Sequence, residues 1–220
     1  MKRLLLLPGY LEDSTIFATL RPLLPPAAEV LAIELAPEFA QWRPVGAANV
    51  VTFARHLAQR YRIGPHDVLI GHSMGGWIAA HLKTQTGATA VLLSSFTDPH
   101  KVVARARNPL LLALYAWSGL GRSRWLRARA KRDYRFDESR ALFGQLADGM
   151  ARHSRRYVHR QLQVLFAPVP PLLVQPELRV HALADDVVRP PDEPFVVIPG
   201  DHFAHYYYPE LVAEAIKSVG

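Results

Sequence analysis

The sequence contains no cysteine. Disulfides and thiolate metal sites are therefore excluded, while the redox compartment stays open. No apolar run approaches the ~20 residues needed to span a bilayer. The opening Met1-Lys2-Arg3-Leu4-Leu5-Leu6-Leu7 is basic and leucine-rich, but Pro8-Gly9 ends it too soon for a signal-peptide core. The expectation is a soluble, cytoplasmic chain. Internal repeats, low-complexity tracts, metal-ligand clusters and a phosphate-loop motif are all missing, so no metal and no cofactor is expected. Acidic residues are scarce in one stretch. Residues 98–165 hold 15 Lys/Arg against 5 Asp/Glu, a local +10, whereas the remainder holds 11 against 14, or −3. The net charge of +7 thus belongs to one segment rather than to the whole chain.

What is present is enough for one large core. A chain of 220 residues is one domain, or one domain with an insertion. At this size roughly 70% of the unfolded surface can be buried without a covalent staple. Continuous apolar runs at Lys2–Leu7, Glu29–Ile33, Asp67–Ile70, Ala88–Ser94, Glu177–Leu183 and Pro194–Ile198 read as six strands buried on both faces. Helical patterns lie between them: Ser14–Leu24 with Ser14 as cap, Ala47–Arg62, Met74–Thr84 and Pro209–Val219, with Pro37–Pro44 as loop. Such alternation predicts an α/β chain with a doubly wound, mostly parallel six-stranded sheet.

The pattern changes between Asp98 and Phe166. No strand is evident there. Asn108-Pro109 caps an apolar helix, Leu110–Trp117, and Ser123–Asp133 is a basic helix carrying Arg124, Arg127, Arg129, Lys131 and Arg132. Ser139–Arg152 and Ser154–Phe166 are amphipathic. A helical segment inserted after the fourth strand reads as a lid, so residues 1–97 and 168–220 form the expected core and 98–167 the expected lid.

Chemistry concentrates at Gly71-His72-Ser73-Met74-Gly75-Gly76, set between a strand pattern and a helix pattern. Gly71-x-Ser73-x-Gly75 has the spacing of a nucleophile elbow, a strained turn whose neighbours must lack side chains so that the chains can approach closely. The hydroxyl then projects above the carboxyl edge of the sheet, and the helix from Met74 aims its amides at any anion formed there. A serine nucleophile also needs a base and an acid that orients the base, here following in the order Ser, acid, His. Asp185 and Asp186 both end the strand at Arg179–Leu183.

With these residues the chain resembles the α/β-hydrolase family, distantly its carboxylesterases and pimeloyl-carrier methyl ester esterases. Members often read H-G-x-x-D-x-V-V-P, with that aspartate catalytic. Val187-Val188 in His181-Ala182-Leu183-Ala184-Asp185-Asp186-Val187-Val188 favours Asp185, leaving Asp186 as a loop carboxylate or a partner for Arg189. The family's P-G-x-G-H-F followed by P-E matches His202-Phe203 and Pro209-Glu210, with Asp201 in place of the usual small residue. The resemblance implies His202 as base, with His205 the runner-up. His181 reads as a strand histidine satisfied in the core, and His72 as packing beneath the elbow. Oxyanion donors are implied at the Met74 amide and, where the family reads H-G-x and this chain Pro8-Gly9-Tyr10, at the Tyr10 amide. If the second strand lies outside the first, these groups meet where the strand order reverses.

The implied activity is hydrolysis of a carboxylic ester through an acyl-enzyme. A thioesterase acting on acyl carriers or coenzyme A uses the same triad, and the basic lid would suit an acidic carrier protein. A binding protein with a vestigial triad is the remote alternative. The arginines read equally as a solvated face. Nucleic acid is not an expected partner, because the basic segment has no recognised motif. Leu114 and Tyr115 on the apolar helix, and Arg127 and Arg129 on the basic one, are candidate substrate contacts. The apolar helix reads equally as the buried face of the lid.

Overall fold

The computed structural model describes residues 3–26, 28–103 and 107–219. Lys2, expected to open the first strand, lies outside the described residues. The six strands are β1 Arg3–Leu7, β2 Glu29–Ala32, β3 Val68–His72, β4 Thr89–Leu93, β5 Leu178–Ala182 and β6 Val196–Ile198. They form one sheet in the order β2-β1-β3-β4-β5-β6. Every pairing is parallel. β2 lies outside β1, so the order reverses between β1 and β3, where a doubly wound sheet opens a crevice.

Side chains alternate between the two faces of a strand, which divides the leucine run in two. Leu5 and Leu7 join Leu69, Ala90 and Leu92 in a core under helices α2 (Val50–Tyr61) and α3 (Met74–Thr86). Leu4 and Leu6 join Val68, Ile70, Val91 and Val180 in a second core under α9 (Pro209–Lys217). Both faces are covered, which is why the central strands show apolar runs rather than alternation.

Two local expectations are corrected. Ser14–Leu24 is not one helix but two 3₁₀ turns, Ser14–Phe17 and Arg21–Leu23, and the cap is Asp13, whose carboxylate accepts from the Thr15 amide. Pro22 explains the break, since it has no N–H for an interior helical bond. Pro37 does not make a loop. It sits in the first turn of α1 (Leu35–Gln41), where amides lack helical partners anyway.

Between β4 and β5 lie α4 (Pro109–Ser118), α5 (Arg124–Arg132), α6 (Arg140–Arg152) and α7 (Arg155–Phe166). α7 is the one bound most closely to the sheet layers. The Trp77 indole of α3 donates to the Val164 carbonyl at 3.0 Å. Arg160 reaches the carbonyls of Phe39 and Trp42 at 2.6 and 2.7 Å and lies over the Trp42 ring. α4 stands on α7 and buries only Ala116. Leu110, Leu114 and Trp117 are 80%, 65% and 50% exposed, so this apolar helix is not the buried face of its segment. No described helix is long and apolar enough to cross a membrane.

Candidate active site

Ser73 joins β3 to α3 at φ 52° and ψ −120°, a strained conformation for a residue with a side chain. The flanking glycines allow it. A Cβ at Gly71 would overlap the Gly75 and Gly76 backbone, and one at Gly75 would overlap the Leu7 carbonyl. That second approach brings the end of β1 against the start of α3. Gly9 follows directly, and a Cβ built on it would lie 3.1 Å from the Ser73 Cβ.

The loop after β1 sorts its own amides. Gly9 N–H donates to Glu12 Oε2 at 2.6 Å, Leu11 N–H to Gln161 Oε1 at 3.2 Å, and Glu12 N–H to the Gly9 carbonyl at 3.4 Å. The Tyr10 amide has no acceptor among the described residues, nor has the Met74 amide at the first position of α3. Two unengaged donors thus lie on the segments adjoining Ser73: Met74 follows it in sequence, and Tyr10 follows Gly9. The Tyr10 phenol points away, to Met150 Sδ at 3.4 Å, and burial, with Tyr115 and Tyr157 near, raises its pKa.

His202 Nδ1 and Asp185 Oδ2 are 2.8 Å apart, with both side chains buried. The other Asp185 oxygen accepts from the Val187 and Val188 amides at 2.9 and 2.8 Å. Burial alone would raise the Asp185 pKa. The charge of His202 and hydrogen bonds from His181 and His202 outweigh it and hold this carboxyl well below its ordinary range. Asp186 is exposed, and its pKa is raised by desolvation and by Asp185. His181 donates to the Val188 carbonyl at 3.0 Å and lies 3.3 Å from Asp185, steadying the acid's loop. His205 is buried, and desolvation, then His72 and His202, pushes its pKa well down against the backbone of Ile16.

Three polar residues had no evident role in the sequence. Asp201, immediately before His202, accepts from Tyr134 and Ser139 hydroxyls at 2.9 and 2.8 Å and from the Phe203 amide. Gln161 of α7 accepts from Leu11, which holds φ 60°, and donates to the Tyr157 hydroxyl at 3.0 Å. Glu12 binds both Gly9 and His72. Only Asp201 left a trace, as a departure from the family's small residue.

Of the four candidate substrate contacts, Tyr115 lies near the Tyr10 phenol, and the two arginines are engaged within their own segment. Leu114 faces solvent. The Tyr115 hydroxyl lies against Gly121. Arg127, its side chain 17% exposed, meets Asp148 at 3.4 Å and the Arg122 carbonyl at 2.8 Å. Arg129 pairs with Asp133 and lies over Trp125. The basic stripe is partly neutralised within its own segment.

Among solved structures, a hydrolase from Oleispira antarctica superposes with a TM-score of 0.75 at 13% identity, covering 100% of this chain and 90% of that one. A thermophilic esterase from Thermogutta terrifontis gives 0.71 at 20% identity, covering 100% and 89%. The RedJ thioesterase of the prodiginine biosynthetic pathway in Streptomyces coelicolor gives 0.61 at 19%, covering 97% and 85%. No curated protein matches the chain. These likenesses establish the fold. A model of the alpha/beta hydrolase family matches residues 4–215, a span that contains the elbow, the aspartate and the histidine loop, and the chain belongs to that family.

Proposed function

We propose that the protein hydrolyses a carboxylic ester by way of an acyl-enzyme on Ser73. The observation that carries this reading is the buried Asp185–His202 hydrogen bond, with the His202 ring 4.7 Å from that of His72, the residue before a strained Ser73. Asp185 fixes the tautomer of His202, leaving Nε2 to accept the Ser73 proton as Oγ attacks the ester carbonyl carbon. The Tyr10 and Met74 amides receive the oxyanion. Collapse expels the alkoxide, which takes the proton back from His202. A water molecule, deprotonated by the same imidazole, then releases the acid and restores Ser73. In this reading residues 98–167 form a lid over the site.

A thioesterase acting on a carrier-bound acyl group is the second reading. The supporting observation is the surplus of arginines in the α4–α7 segment, of which Arg124, Arg155 and Arg156 are exposed and pair with no carboxylate among the described residues. Steady-state kinetics on p-nitrophenyl esters of rising chain length, beside acyl-coenzyme A, distinguish the two. Ester turnover that falls by ~10⁴–10⁶ in Ser73→Ala is expected. A preference for acyl-coenzyme A would favour the thioesterase, and no turnover of either would oppose both.

A further inference from the structure

Glu12 and His72 are both buried, and neither takes a direct part in the chemistry proposed above. Glu12 Oε2 accepts the Gly9 amide at 2.6 Å and faces His72 Nδ1 at 2.8 Å. The other nitrogen of His72, Nε2, lies 3.0 Å from the His202 carbonyl. A carbonyl only accepts, so Nε2 carries hydrogen. Nδ1 meets a carboxyl oxygen that already takes one N–H, the arrangement of an imidazolium against a carboxylate.

We propose that Glu12 and His72 are a positioning pair, an imidazolium–carboxylate contact that ties the oxyanion loop and the base loop to the elbow; the proposal rests on the roles given above to Ser73 and His202.

The connection runs through three segments distant in sequence. Gly9 precedes the Tyr10 amide and comes close enough to Ser73 that a Cβ on it would lie 3.1 Å from the Ser73 Cβ, so its tether sets the turn that presents this donor. The carbonyl held by His72 belongs to His202 itself. His72 is the residue before Ser73. The charged and titratable groups around it are Glu12 on the oxyanion loop, His202 and His205 on the base loop, and Asp185 after β5. Burial works against the charged ring. The Glu12 charge and hydrogen bond, the His202 carbonyl and Asp185 work for it and leave the His72 pKa raised, while His205, its ring 4.1 Å away, is kept neutral.

Stability is a poor reason for such a pair. Glu12 Oε1 is buried without a partner among the described residues, and desolvating two charges offsets most of their attraction. Geometry is a better one. Both tethered groups act on charge that develops in the transition state, so slackening them should lower kcat and leave KM alone.

The test compares wild type with Glu12→Gln, which keeps the size and loses the charge. A short-chain p-nitrophenyl ester reports kcat and KM, and ¹⁵N NMR of the histidine rings reports the protonation of His72. The expected result is a folded variant with kcat lower by ~10²-fold and KM nearly unchanged. His72 should be protonated on both nitrogens at neutral pH in wild type and on one in the variant. If Glu12→Gln does not fold, His72→Gln replaces it, because its amide can still donate to the His202 carbonyl, and the same kcat loss is expected. Unchanged kcat, or a bare His72 nitrogen in wild type, would overturn the proposal. If wild type turns over no ester and resists a fluorophosphonate, the hydrolase reading falls and the positioning role with it, whereas a doubly protonated His72 in that sample would still establish the ion pair.

Discussion

Asp185 and Asp186 are neighbours of identical chemistry in opposite surroundings. One is buried between a histidine and two backbone amides, the other exposed with its pKa raised. Asp185→Asn should fold and lose up to ~10⁴ in turnover by allowing the wrong imidazole tautomer, as in other triads. Asp186→Asn should change turnover little. Kinetics of the two variants on one ester check this, and a reversed order would move the acid by one residue. Asp185 also contributes to stability. Its folded pKa is depressed, so its contribution is complete above the unfolded carboxylate value and is lost as pH falls toward the folded one.

The loop before His202 and the loop after β1 are each fastened to the α4–α7 segment. Tyr134 and Ser139 hold Asp201, next to His202, and Gln161 of α7 holds Leu11, next to Tyr10. Gln161→Leu leaves the buried Leu11 amide without its acceptor, which should cost about 1–3 kcal/mol of stability. Denaturant unfolding measures this, and an unchanged midpoint would contradict it. These contacts explain what the sequence could and could not show. The strained turn at Ser73 and the pairing of Asp185 with His202 are legible because each lies in a short motif on a turn that demands glycine or at a strand end. The central strands are legible because burial on both faces leaves continuous apolar runs, whereas the edge strands β2 and β6 are partly exposed. Glu12 with His72, Gln161 with Leu11 and Asp201 with Tyr134 join residues 60 or more apart and leave no periodicity to read. An apolar helix such as α4 does not reveal which side it buries, and Arg127 did not announce Asp148 as its partner.

Across the whole molecule, buried histidines set the dependence of stability on pH. His81 lies buried on α3 against Trp77, its Nε2 without a partner among the described residues, and desolvation lowers its pKa to about 4. It is neutral in both states above its unfolded value of ~6.5. Below that value the unfolded chain binds a proton that the folded chain refuses, so stability falls with pH. The loss from His81 approaches ~1.4 kcal/mol per pH unit. His205 acts in the same direction. His72, with its pKa raised, contributes stability that is complete below the unfolded value and is lost as pH rises through the folded one. Urea unfolding at pH 7 and 5 should show a marked drop, and His81→Leu should flatten part of it. An equal drop in the variant would exclude His81 as a cause.

Covalent capture shows whether Ser73 is the nucleophile. The protein is treated with a fluorophosphonate, digested, and the modified peptide mapped by mass spectrometry. One adduct is expected, on Ser73, absent from Ser73→Ala and much slower to form in Asp185→Asn. An adduct on another serine, or none on the folded wild-type protein, would contradict it.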